Sequence, residues 1–356
     1  MIYNRRNFYF IIFSVILLIT YSGCSGSSDG ILEPKKEGIT QPLDPFEQNK
    51  KLGRGINIGN SLEAPNEGEW GVTVKEEFFK LIKEKGFSSV RLPVKWSGHA
   101  SDKAPYEISP DFFKRVDVII DEALSRGLAV VLDMHHYDEL IDAPTANKDR
   151  FISLWRQISE HYVDYSADLF FEVLNEPNGN LTPEVWNAYL KDAISAIREK
   201  NPYRTLIVGG PDWNSVGSIG SLAIPAEEKN VIATVHYYDP FIFTHQGAEW
   251  VLGSDLWLGT TWSATEVEKQ AVAKDMDQLL IWSKANNRPV YIGEFGAYNK
   301  ADIESRAQWT YYISRQAEQR GFSWSYWEFC SGFGVYDQAK QQWNQLLLSA
   351  LIPTGV

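Results

Sequence analysis

Cysteine is nearly missing from the 356 residues: only Cys24 and Cys330 occur, and neither belongs to a Cys-x-x-Cys pair. A disulfide framework is thereby excluded. Basic charge is also in deficit. Lys plus Arg number 34 against 46 Asp plus Glu, a formal net charge of −12 with no basic stripe, so nucleic acid is not a partner. No glycine-rich phosphate loop opens a helix after the first strand-like run; Gly53-Arg54-Gly55-Ile56-Asn57 lacks the third glycine of a dinucleotide fingerprint. No Gly-x-Ser-x-Gly elbow occurs, which leaves Ser/His/Asp catalysis unsupported. The six histidines include no His-x-His or Glu-x-x-His pair. His135 and His136 are adjacent and would point to opposite faces of a strand, a poor chelating arrangement. Neither a catalytic metal nor a cofactor is expected.

Aromatics are plentiful: 13 Trp, 17 Tyr and 18 Phe. Most belong in a core. The remainder can offer flat, amphipathic platforms to sugar rings, whose C–H faces are apolar. The N-terminal region has its own pattern. Arg5 and Arg6 precede an apolar run over 8–21, followed by Ser22-Gly23-Cys24. This resembles a bacterial lipoprotein signal, with an apolar run too short for a comfortable membrane span. On that reading 1–23 is a signal peptide and Cys24 becomes the lipidated N-terminus. Residues 24–43, polar with Pro34 and Pro42, form a flexible tether. An uncleaved anchor is the alternative. The expected location is outside the cytoplasm, lipid-anchored to the outer membrane or cell surface of a bacterium, with the membrane as a partner through that anchor.

From about residue 51, strand-like and helix-like signals alternate. Candidate strands cover 53–58, 88–92, 128–134, 168–174, 204–209, 230–236, 289–293 and 322–327. Thr73-x-x-Glu76 and Thr265-x-x-Glu268 have capping-box form, and Ser109-Pro110 and Thr182-Pro183 read as a cap followed by Pro at the first helical position. Gly127 and Gly321 sit where helices end. Eight β/α units predict an α/β fold, a (β/α)8 TIM barrel making a single catalytic domain over 44–356, in preference to a doubly wound sheet. The long connection over 236–265 should fold across the catalytic face.

In such a barrel chemistry sits at the C-terminal strand ends. Here those ends are polar or aromatic: Asn60, Arg91, His135, Asn175, Glu176, His236, Tyr238, Glu294 and Trp327. Period-2 alternation places Asp133 with His135 on one face, Glu172 and Leu174 with Glu176, and Ile292 with Glu294. Phe170-Phe171-Glu172-Val173-Leu174-Asn175-Glu176-Pro177 is a mainly apolar run that ends in a carboxylate, and 289–296 places Glu294 in the same way. Two carboxylates across one mouth suit glycoside hydrolysis. A retaining enzyme needs them about 5–5.5 Å apart, as nucleophile and acid/base, and an inverting one keeps them wider. Arg91 could hold one of them ionised, while the other must keep a proton. The residues alone leave open which Glu takes which part.

These strand ends resemble glycoside hydrolase family 5, clan A, across about 44–352, most closely its bacterial endo-β-1,4-glucanases that also act on mannans. The matching stretches are 53–69, 130–140, 170–177, 236–250 and 326–336. The resemblance implies a retaining mechanism with Glu294 as nucleophile and Glu176 as acid/base. It implies that Arg91 and Tyr238 hydrogen-bond the nucleophile, that Asn175 contacts the sugar 2-hydroxyl, and that Trp327 floors the cleavage subsite. His135 and His236 fall on further shared positions. Asn60, Glu63, His136, His245 and Trp250 match sugar-contacting positions of the nearest relatives. The implied partner is a β-1,4-linked polysaccharide, of cellulose type with glucomannan or mannan as further substrates, acted on by a monomer.

Blander roles go to other residues. Glu172 and Asp133 read as structural groups of the barrel interior, and Cys330 as a buried free thiol. Trp96, Trp213 and Trp262 suit core or surface packing at least as well as sugar stacking. A non-catalytic polysaccharide-binding barrel of an uptake system and a metal-dependent hydrolase on the same fold are the competing functions.

Overall fold

The computed structural model describes residues 37–353. The signal-peptide stretch, Cys24 and the tether up to residue 36 lie outside the described residues. Among the described residues, no helix is long and apolar enough to cross a membrane.

The first helix, α1 (Pro45–Leu52), is capped by the Asp44 carboxylate and precedes any strand. The strands then follow as β1 (Arg54–Asn57), β2 (Ser89–Val94), β3 (Ala129–Met134), β4 (Leu169–Glu172), β5 (Leu206–Gly209), β6 (Val231–Tyr237), β7 (Val290–Phe295) and β8 (Ser323–Tyr326). All pair in parallel with their sequence neighbours, and β8 pairs with β1, so the expected (β/α)8 barrel closes. The helices between are α2 (Glu76–Glu84), α3 (Pro110–Ser125), α4 (Asp138–Asp142), α5 (Pro144–His161), α6 (Pro183–Arg198), α7 (Phe241–Thr244), α8 (Glu266–Asn286) and α9 (Ile303–Gln319), with α10 (Gln345–Leu351) closing the chain.

Alternation along the strands separates two apolar cores. Val130, Leu132, Leu169, Phe171, Leu206 and Val208 pack outward against the helices. Ala129, Val131, Phe170, Ile207, Ile232 and Tyr291 point into the barrel, where Leu52 of α1 joins them as a floor. Above that floor the interior becomes polar. Buried tryptophans set the strand ends from outside: Trp155 and Trp186 donate their indole N–H groups to the carbonyls of Val173 and Gly209, both at 2.9 Å. A buried indole N–H needs such a partner, so each ring fixes the height of a strand end.

The capping box at Thr265 forms, with Thr265 and Glu268 bonded reciprocally. Thr182 caps α6 as expected. The box at Thr73 does not form: α2 starts at Glu76 with Lys75 as its cap. Val74 is already engaged, its N–H by Glu67 and its carbonyl by Arg115, which keeps the helix from starting there. Ser109 makes no side-chain cap bond, although Pro110 does open α3.

Two alternation readings fail for physical reasons. β4 ends at Glu172, and Leu174 packs outward rather than sharing a face with Glu172. In β7 the register slips, so that Ile292 pairs with Val235 but Glu294 pairs with His236. Gly293 is the extra residue of this bulge. A side chain there would come within 2.7 Å of Thr234 Oγ1, so glycine is required. Ile292 therefore faces the helices while Glu294 turns into the barrel.

Candidate active site

The mouth holds a cleft of about 700 Å³. Asn60, Glu63, His135, His136, Glu176, Tyr238, His245, Trp250, Glu294 and Trp327 all line it. The remaining three expected residues, Arg91, Asn175 and His236, lie behind that wall and are buried. All thirteen are thus brought to one place. The connection from β6 to α8 does fold over the mouth, supplying His245 and Trp250. The cleft also uses residues that sequence reasoning passed over: Trp70, Tyr298, Ser331, Gly332 and Phe333. Trp70 carried a weak signal, an aromatic in the loop between Gly68 and Gly71.

Glu294 is held from two sides. Arg91 Nη1 donates to its Oε1 at 2.6 Å and the Tyr238 hydroxyl to its Oε2 at 2.9 Å. Glu176 sits past the end of β4 with φ 44°, a strained left-handed conformation for a residue with a side chain. Its Oε1 meets His236 Nδ1 at 2.7 Å, and its side chain keeps 23% of its exposure. One oxygen of Glu176, one of Glu294 and a nitrogen of His236 lie within 4.8 Å of one another. Such a trio could be read as a cation site. Arg91 already donates to Glu294, and its charge there works against a second cation.

The interior beneath is unusually charged. Arg91, fully buried, forks onto Glu172 at 2.7 and 2.9 Å and also reaches Asn57, Asp133 and Asn175 at 3.0, 3.0 and 2.9 Å. Asp133 in turn contacts His135 Nδ1, and His135 stacks at 5.9 Å and 9° on Trp327. Glu172 and Asp133 are therefore interior groups, as expected, yet both grip the arginine that holds Glu294. Burial raises the Glu294 carboxyl, while His236, Arg91 and Tyr238 pull it back without cancelling the rise. Burial also raises Asp133 well above the ordinary range. His236 loses basicity to burial but regains more from Glu294 and Glu176, and ends raised. Burial lowers His135 well below its ordinary value and His245 to about 4, so both are neutral near pH 7.

Glu63 accepts the N–H groups of Asn60 and Ser61, the latter at 2.9 Å, and burial raises its carboxyl to about 7. Trp96 and Trp262 are core residues, whereas Trp213 is exposed. Cys330 is a free thiol but is partly exposed, not buried.

Residues 51–332 match the sequence profile described as Cellulase (glycosyl hydrolase family 5). The chain belongs to glycosyl hydrolase family 5. Among solved structures similar to this family 5 chain is Thermotoga maritima Cel5A in complex with mannotriose, at 55% identity and TM-score 0.86, covering 87% of this chain and 100% of that one. The same protein with cellobiose matches at 56% identity, TM-score 0.86 and the same coverage. Endoglucanase H of Acetivibrio thermocellus is 37% identical over 319 residues, 88% of this chain but 34% of that protein. The chain spans about a third to a half of the length of the first curated relatives it matches.

Proposed function

We propose that the protein is a retaining endo-β-1,4-glycanase, a cellulase-type glycosidase that cuts internal bonds of β-1,4-glucans and also accepts glucomannan or mannan. The observation that carries this is the pair Glu176 and Glu294 on one open cleft, with oxygens within 4.8 Å, the spacing of a double displacement rather than of an inverting reaction. Glu294, clamped by Arg91 and Tyr238, attacks the anomeric carbon. Glu176 gives its proton to the departing glycosidic oxygen as the C–O bond breaks, and a glycosyl ester on Glu294 remains. Water then attacks the same carbon, Glu176 takes its proton, and the ester bond breaks to return both groups to their starting states. Asn175 spends its amide oxygen on Arg91, which leaves its NH2 group as the donor for a sugar hydroxyl. Trp327 and Trp250 offer stacking surfaces. The solved relatives carry mannotriose or cellobiose, which supports a cleft tolerant of both stereochemistries at C2.

The second part of the reading is location: export and lipid anchoring through Cys24, with the folded unit acting as a monomer. Cys24→Ser should release the protein from membranes, and retention would defeat the anchor.

The test of mechanism separates the carboxylates. Glu294→Ala should abolish turnover of every substrate. Glu176→Ala should lose about 10²–10⁴-fold on polysaccharide but keep the first step on aryl glycosides whose leaving group needs no protonation. Equal behaviour of both variants on such substrates would overturn the roles, and an inverted anomer in the first-formed product would overturn the mechanism. Binding of polysaccharide with no turnover by the unaltered protein would favour the non-catalytic binding barrel.

A further inference from the structure

Behind the catalytic pair, four buried polar atoms have no hydrogen-bond partner among the described residues: Thr234 Oγ1, His236 Nε2 and both amide atoms of Asn214. Unpaired polar atoms are costly to bury and few in a folded protein, so a group of them in one place calls for a reason.

The backbone is shaped around them. Thr234 follows Ile232 along the inward face of β6, and it pairs with Gly209 of β5. The Asn214 amide lies against Gly209, where a Cβ would come within 2.0 Å of its Oδ1. Gly293 of β7 faces the other two side chains. A Cβ there would come within 2.7 Å of Thr234 Oγ1 and 3.2 Å of His236 Nε2. Glycines on the two flanking strands thus make room for three polar side chains. The loop after β5 drives Asn214 inward at a cost. Asp212, Trp213 and Asn214 are left-handed in succession, with φ 64°, 61° and 52°. The Asn214 carbonyl then accepts the His236 N–H at 2.9 Å, which ties this loop to β6.

The other edge of the His236 ring meets charge. Its Nδ1 lies 2.7 Å from Glu176 Oε1 and 3.6 Å from Glu294 Oε2. Arg91 from β2 opposes a positive ring, while Tyr238 and His135 are neutral. The two carboxylates outweigh Arg91 and burial, and they favour a protonated ring. An imidazolium, however, has two N–H groups to satisfy. The carboxylates serve the one on Nδ1. The one on Nε2 would be a buried, unpaired donor on a charged group unless the Thr234 and Asn214 side supplies an acceptor.

We propose that Thr234 and Asn214 bind a water beside His236 Nε2, and that this polar socket holds the ring as an imidazolium between the two catalytic carboxylates. A water with polar partners on several sides is what buried polar groups retain. The hydroxyl and the amide oxygen accept, and the amide N–H2 donates. Both residues act through His236, so they are positioning residues. The charge they support keeps Glu294 ionised for attack and steadies the Glu176 anion once its proton has left with the glycosidic oxygen. This consequence rests on the glycan-hydrolase reading above; the charge of the ring does not.

The experiment reads the ring first. In nitrogen NMR of labelled protein, the His236 signals, identified by their loss in His236→Asn, should show protons on both nitrogens at about pH 6. Thr234→Val keeps the shape and removes the hydroxyl, and should make His236 titrate about one pH unit lower. Thr234→Ser should restore it. On cellohexaose, a Glu294 carboxyl deprived of a neighbouring cation ionises less readily, so the acid limb of kcat should move to higher pH in Thr234→Val, with about tenfold lower kcat on that limb per pH unit moved. KM should stay unchanged. An unmoved His236 titration in folded Thr234→Val, or a Thr234→Ser that behaves like it, would overturn the socket. A neutral ring at about pH 6 in the unaltered protein would overturn it whether or not the variant folds. A shifted titration with an unmoved acid limb would overturn the positioning role. Should the ring titrate as expected while the unaltered protein fails to turn over cellohexaose, the glycan-hydrolase reading fails on its own.

Discussion

Among the described residues two arginines are completely buried, and their surroundings differ in kind. Arg204, just before β5, is surrounded by neutral acceptors. Its guanidinium donates to the carbonyls of Tyr162, Tyr165, Ser166 and Leu169 at 2.8–2.9 Å and to Asn201 Oδ1 at 2.8 Å. It also lies 4.8 Å over the ring of Phe171. With no anion beside it, burial and the nearby Arg198 lower it to about 9. Arg91 bonds three carboxylates instead. Burial works against its charge too, but Asp133, Glu172 and Glu294 outweigh that and raise it well above its ordinary value. Carbonyl dipoles can hold a charge while storing none, and so serve to tie loops together. In this cluster of one cation and three acids, burial raises the Glu294 and Asp133 carboxyls, which makes their protonation responsive to pH. The first environment serves stability and the second serves chemistry.

The contrast can be broken experimentally, most strongly at Arg91. Arg91→Met should lower kcat/KM by about 10²–10³-fold. Activity requires ionised Glu294 and falls as pH drops through its raised pKa. Without the guanidinium that carboxyl rises further, so the acid limb of the profile should move to higher pH. An unmoved limb would mean that Arg91 does not set the charge of the nucleophile. Next in size is Arg204→Met, which leaves several buried acceptors without a donor. Urea unfolding should register a loss of about 3 kcal/mol, with kcat of the folded fraction unchanged; a large fall in kcat would erase the distinction between the two sites.

The smallest effect belongs to the mirror image of Arg204. Glu328 is a buried carboxyl served by the N–H groups of Cys330, Ser331 and Phe333 at 2.7, 2.7 and 3.3 Å, and burial raises it to about 7. Its folded value lies above the unfolded 4.5. Its contribution is therefore complete below that pH, lost progressively as the unfolded chain releases its proton first, and constant above pH 7. The loss is at most about 3 kcal/mol. Stability measured from pH 4.5 to 7.5 should decline more in the unaltered protein than in Glu328→Gln, and equal slopes would contradict the assignment.

Much of this architecture was legible in the residues. Strand-end carboxylates, caps at Thr182 and Thr265 and the alternation of β3 are local patterns, and they placed the barrel and its mouth. The pairing of Arg91 with Glu294 was implied by family resemblance, because nothing local links side chains 203 residues apart. The rest was hidden for definite reasons. Gly293 breaks the alternation of β7 through a register slip that only the neighbouring strand reveals. Thr73 and Glu76 match a capping motif, but Arg115 and Glu67 hold Val74. Trp70 lies in a stretch with no periodicity, and its place depends on an arginine from α3. Asp133 looked like plain interior, and only contact with both Arg91 and His135 makes it a link between the nucleophile's clamp and the wall under Trp327.

The route by which the chain enters the barrel also matters. Helix α1 lies beneath the strands: Ser89 Oγ donates to the Leu52 carbonyl at 2.7 Å, Ser323 Oγ to Asn49 Oδ1 at 2.6 Å, and Lys51 pairs with Asp168 at 2.8 Å, all at strand beginnings. Gly38 lies against Val163 and Asp164 on that same underside. The described chain therefore enters the barrel at the end opposite the cleft. On the proposed function, the cleft on the far side is left free to be laid against a strand of polymer too large to come to it, as a plane is held from behind and pushed along the wood.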